Sequence, residues 1–87
     1  MQERRRFHRH QIFKPAKLLS QASVIDCIVR DISGNGARLA LISTAGISET
    51  IDLSFDAMRT LRPCRVVWNT ATEIGVEFRE RTFRSAA

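Results

Sequence analysis

Apolar and polar residues alternate with a period of two along most of this chain, the spacing of strands with one buried face. Between Val24 and Ile32, Ile25, Cys27 and Val29 fall on one side and Val24, Asp26, Ile28 and Arg30 on the other. The many β-branched residues in this run strengthen the prediction of a strand. Ala37 to Ile42 repeats the pattern through Ala37, Leu39 and Leu41. The intervening Asp31-Ile32-Ser33-Gly34-Asn35-Gly36 therefore reads as the tip of a hairpin. Further strands are predicted over Thr50–Phe55, Leu61–Asn69 and Thr72–Arg79, with Pro63 marking an edge or a bulge. In the Leu61–Asn69 strand, Val66 and Trp68 share a face opposite Arg65 and Val67, which assigns Trp68 to the core. An exposed indole able to stack on a base is the alternative. Gln11 to Ser20 alternates imperfectly and contains Pro15, the mark of a bent or edge strand. Apart from a turn near Asp56 to Thr60 and the tail from Glu80, no window carries apolar residues at helical spacing. Six short strands joined by tight loops predict an all-β fold, an antiparallel barrel.

At 87 residues the chain has room for one modest core, hence one domain. Apolar residues at 44% and charged residues at 26% describe a folded chain rather than a disordered one. The net charge of +5 is local: Arg4, Arg5, Arg6, Arg9, Lys14 and Lys17 face only Glu3 in the first seventeen residues, and the remainder balances to zero. A protein that coats nucleic acid more often spreads its charge over a face or the whole length. Cys27 and Cys64 lie far apart in predicted strands with no C-x-x-C pair, so two buried free thiols are expected. With no apolar export segment and no span-length apolar run, the expected location is the cytoplasm, without membrane insertion.

Two constellations carry candidate chemistry. The arginine cluster presents guanidinium forks, which match phosphate oxygens and the O6/N7 edge of guanine alike. The Asp31–Gly36 turn supplies a carboxylate, a hydroxyl and two glycines, so bare backbone can approach a ligand closely. Together, Arg5-Arg6-Phe7-His8-Arg9 and Asp31-Ile32-Ser33-Gly34-Asn35-Gly36 resemble the signature of the PilZ domain, R-x-x-x-R and then [D/N]-x-S-x-x-G. PilZ domains are bacterial receptor modules for cyclic di-GMP. Arg65-Val66-Val67-Trp68 and Ile74-Gly75-Val76-Glu77-Phe78 also look like that family's closing strand pair.

The resemblance implies a six-stranded antiparallel PilZ-like β-barrel over residues 13–80, preceded by a flexible basic ligand-binding arm at 1–12 and followed by a tail at 81–87. Only seven residues follow Glu80, with Phe83 the sole large apolar side chain, so little or no C-terminal helix is expected. It further implies that Arg5, Arg9, Asp31, Ser33, Gly34 and Gly36 bind cyclic di-GMP. Asp31 would accept from guanine N1–H and its amine, and Gly36 would take a backbone angle that a Cβ resists. Arg4, immediately before the motif, goes in this family with an intercalated ligand pair, hence two molecules per protomer. Arg6 reads as a solvated charge. The competing reading of Asp31 and Ser33 is a turn whose side chains bond only to local backbone. Ligand binding would order the arm and relay the signal to a downstream protein of motility, exopolysaccharide or attachment machinery.

Other chemistries find little support. His8 and His10 with the two cysteines lack zinc-site spacing, no cofactor is implied, and no nucleophile elbow or metal-binding carboxylate set marks an enzyme. A barrel binding single-stranded nucleic acid is the main rival, weakened by five Phe, one Trp and no Tyr. A third reading is a PilZ adaptor that binds no ligand.

Overall fold

The computed structural model describes residues 10–79. Six strands follow one another, β1 (His10–Ser20), β2 (Ser23–Ile32), β3 (Gly36–Ala40), β4 (Thr50–Ser54), β5 (Arg62–Asn69) and β6 (Glu73–Phe78). All neighbours run antiparallel, and the sheet closes on itself in the order β1-β2-β3-β6-β5-β4. The expected all-β barrel is therefore present, and no helix occurs among the described residues. None there is long and apolar enough to cross a membrane. The arginines before His10, and the tail with its expected lack of a helix, lie outside the described residues.

Burial follows the alternation read from the sequence. Val29, Leu39 and Ile74 are each fully buried and stand in one row across β2, β3 and β6. Leu18 and Leu53 face each other where β1 and β4 close the barrel. Each such side chain contributes about 1.5–3 kcal/mol of transfer free energy. Cys27 and Cys64 are buried free thiols, and burial pushes both up to about 11. Both are thus held as neutral thiols, poor nucleophiles and poor metal ligands at neutral pH.

Three bulges interrupt the ladders, and each redirects side chains. In β1 the register against β2 shifts between Gln11 and Lys14, where Phe13 adopts φ 48. This is the bend expected near Pro15, which lies where β1 has only β2 as a partner among the described strands. In β2 Arg30 is the extra residue opposite β3. Its guanidinium pairs with Glu73 at 2.9 Å and lies 5.2 Å from the centre of the Phe13 ring. In β5 the extra residue is Val67, so the bulge expected near Pro63 sits further along the strand. Pro63 itself pairs with Asp52 of β4, and its carbonyl accepts from Arg79 N–H at 2.9 Å.

Candidate functional site

Asp31 lies just past the Arg30 bulge of β2, on the face opposite Ile32 and the core, yet only 2% of its surface is exposed. A carboxylate in that position requires a charged or hydrogen-bonding partner. Arg38 of β3 supplies it, with Nη2 2.9 Å from Asp31 Oδ2. The Arg30 bulge is what makes this contact. An unbroken ladder continuing from Val29–Leu39 would set Arg30 against Arg38, two like charges, and Asp31 against Ala37. The extra residue moves Asp31 opposite Arg38 instead.

Beyond Asp31 the chain turns through Ser33 to Gly36. Ser33 N–H donates to the Gly36 carbonyl at 2.8 Å, and the Ser33 hydroxyl donates to Asn35 Oδ1 at 2.9 Å. Ser33 is thus held by local turn contacts, whereas Arg38, which pairs with Asp31, lies across the sheet. Gly34 is exposed at the tip. Gly36 corrects the expectation of a special backbone angle, because Gly46 is the glycine with a left-handed φ among the described residues. Gly36 is required for closeness: a Cβ there would run into the backbone carbonyl of Val76 on β6. Gly36→Ala is expected to cost about 1–3 kcal/mol as β3 and β6 are pushed apart. A thermal melt should then fall by roughly 4–8 °C per kcal/mol.

Trp68 is a correction to the sequence reading. Its alternation with Cys64 and Val66 points inward, yet it is 44% exposed. The Val67 bulge shifts its partner to Gly75, whose neighbours Ile74 and Val76 fill the core, so the indole turns to the outer face. There it lies across the bare backbone of Gly75, occupying the space a Cβ would need. Gly75 is buried because the ring covers it. A glycine inside a strand often marks a bulge or a close approach, and this was the available signal for the flipped indole.

The ladders assemble these residues into one row across four strands, Asp31 opposite Arg38, Arg38 opposite Gly75 and Gly75 opposite Trp68. A groove of about 190 Å³ runs beside the row, walled by Ser33, Asn35 and Gly36 on one side and Trp68 on the other, with Arg38 and Glu77 between. Glu77 is paired with Arg65 at 2.9 Å. A second cleft of about 210 Å³ lies past the indole, lined by Ile47, Ser48 and Glu49 together with Val66 to Asn69. Of the residues expected to bind ligand, Ser33 and Gly36 line the first groove and Asp31 borders it through Arg38. Arg4, Arg5 and Arg9 lie outside the described residues. Among the described residues no group of three or more His, Cys, Asp or Glu side chains could hold a metal ion.

The family model of the PilZ domain matches residues 3–86, almost the entire chain. The chain belongs to the PilZ domain family. PilZ domains are, as a family, receptors for cyclic di-GMP rather than enzymes. A search of curated proteins returned no match.

Proposed function

We propose that this PilZ domain is a cytoplasmic bacterial receptor that binds cyclic di-GMP in the groove between the Ser33–Gly36 turn and Trp68. The observation carrying this reading is the Asp31–Arg38–Gly75–Trp68 row, which sets a polar edge and an aromatic face beside the signature turn. A guanine stacks on the indole, an interaction tolerant of ring position and worth about 1–3 kcal/mol. The carboxylate of Asp31 accepts from guanine N1–H and the exocyclic amine, a pattern adenine cannot supply. Ser33 turns from Asn35 to donate to phosphate, and the exposed backbone at Gly34 meets the same anion. Arg5 and Arg9 reach in from the N-terminal segment to bind phosphate and base edge by charge-assisted hydrogen bonds. Arg4 holds a second ligand molecule, giving two per protomer.

The signal leaves the domain as a change in the arm. Two phosphates hold the arginines against the barrel, and the ordered arm presents a surface to a downstream protein. Hydrogen exchange of residues 1–9, which precede β1, should slow when ligand is added, and unchanged exchange with intact binding would sink this relay.

Isothermal titration with cyclic di-GMP, beside GTP, tests the receptor reading. Saturable binding of the cyclic dinucleotide alone is expected, at two molecules per protomer. Trp68→Ala should weaken it by about 5- to 150-fold, the equivalent of one lost stacked base. Absence of saturable binding would overturn the proposal. Exposure of both Trp68 and Phe13 gives the single-stranded nucleic-acid reading more support than the aromatic count alone. Binding of an oligonucleotide with steep salt dependence would favour it.

A further inference from the structure

The barrel mouth at the signature end carries a surface that the ligand groove does not use. Its floor is Ile32, Phe55 and Phe78, each half-buried and packed against the core. Its far rim, where β4 lies opposite β3 in the closed order, is cationic. Lys14 Nζ sits 6.0 Å from the centre of the Phe55 ring, and the Arg62 guanidinium stacks 3.8 Å from the centre of the Phe78 ring. An arginine stacked on a ring keeps its planar N–H edge free for a carboxylate. Arg59 belongs to the same loop between β4 and β5, and all three cations are exposed. That loop is held in a strained shape. Ala57 and Met58 take left-handed φ of 61 and 72, and buried Ser54 accepts from Met58 N–H at 2.9 Å. Asp56 accepts from the Ser54 hydroxyl and from Thr60 N–H, both at 2.9 Å. Strain of this kind persists only where the surroundings over-determine it, and here it sets how Arg59 and Arg62 enter the rim.

Charge decides what such a mouth accepts. Lys14, Arg59 and Arg62 stand there against Asp56, so an acidic occupant is favoured and a basic one repelled. The chain's own segments fail on this count. Residues 1–9 carry four arginines and one glutamate, residues 80–87 carry two arginines and one glutamate, and a second copy brings a net charge of +5. A recessed apolar floor suits an inserted side chain better than a flat lipid surface. Cations already cover the Phe55 and Phe78 faces on which a nucleic-acid base would stack. We propose that this mouth docks a partner protein through an acidic segment whose single apolar side chain enters between Lys14 and Arg62. This partner is the downstream protein of the relay reading, on which the proposal rests.

The test is amide chemical-shift mapping of the full chain against short synthetic peptides, each with one phenylalanine set among glutamates or, as the control, among lysines. Saturable shifts are expected at residues 55–62 and around Lys14 with the glutamate peptide alone. Arg59→Glu combined with Arg62→Glu should weaken that peptide at least about 10-fold, because like charges then meet. The same variant should bind the lysine peptide more tightly than wild type does, and should keep its affinity for cyclic di-GMP within about threefold. Arg59→Gln with Arg62→Gln, gentler on the fold, should weaken the glutamate peptide by at least about threefold, with melting curves to confirm folding. Shifts that are absent, lie elsewhere or answer both peptides equally would overturn the proposal. A larger loss of cyclic di-GMP affinity would assign the cations to that ligand and overturn it too. So would shifts at residues 55–62 caused by phosphatidylserine vesicles but not by the peptide, or by raising the protein concentration alone. Glutamate-peptide affinity that is the same with and without cyclic di-GMP would support the docking site and overturn the relay alone.

Discussion

Replacing Arg5 and Arg9 together with alanine is expected to reduce affinity for cyclic di-GMP by roughly 10²- to 10⁴-fold, since each forfeits charge-assisted hydrogen bonds of about 1.5–3 kcal/mol. The size of the loss follows from where the charge lies. The first seventeen residues carry the whole net charge of +5, while the remaining seventy are balanced. Among the described residues the cations nearest the signature turn are already paired, Arg38 with Asp31 and Arg30 with Glu73. The barrel has little unpaired positive charge there to replace the arm when a doubly anionic ligand arrives. Arg6→Ala is the control, since Arg6 occupies a position that the R-x-x-x-R motif leaves open and should change affinity less than about threefold. Circular dichroism of the double variant should match wild type, because both substitutions precede β1. Binding within about threefold of wild type would show that the ligand is held by the barrel alone.

Leu39→Ala is expected to have the largest effect on stability, about 3–5 kcal/mol. Leu39 is fully buried on β3, with Val29 and Ile74, equally buried, as its cross-strand partners. All three sit on strands hydrogen-bonded on both sides, so the backbone cannot readily collapse into the space a missing isobutyl group leaves. A chain of this size has on the order of 4–13 kcal/mol to lose. The melting midpoint should fall by roughly 15–30 °C, and the variant should be partly unfolded at 37 °C. Ile42→Ala is the matching control, since Ile42 is almost wholly exposed and should shift the melt by no more than a few degrees. A small shift for Leu39→Ala would mean that the barrel relaxes around cavities far more than its closed ladders suggest.

These two predictions draw on different levels of information. The arginine motif and the Asp31–Gly36 turn were legible as a string, because the spacing of short motifs is a property of the chain. Leu39 was legible as core because alternation assigns faces within any uninterrupted strand. The two-residue β1–β2 connection was not legible: Gln21 and Ala22 both take positive φ, a turn usually built from glycine or asparagine. Gly36 was assigned to the right place for another reason, since backbone proximity to β6 cannot be read from the hairpin that contains it.

Trp68 and Arg38 show the limit most clearly. Alternation is a parity argument, and one inserted residue reverses parity for everything beyond it. The bulge at Val67 therefore moved Trp68 from the predicted core to the surface, and the bulge at Arg30 exchanged an arginine–arginine pairing for the Asp31–Arg38 ion pair. By itself the sequence determined the number of strands, their inward faces as far as the bulges, the hairpin at Ser33 to Gly36 and the family motif, all consequences of local spacing. Only the tertiary structure decided that β3 lies beside β6 and that carboxylate, guanidinium, bare glycine and indole share one row. That row depends on which strands neighbour one another and in what register, and these are set by closure of the whole barrel rather than by any one strand.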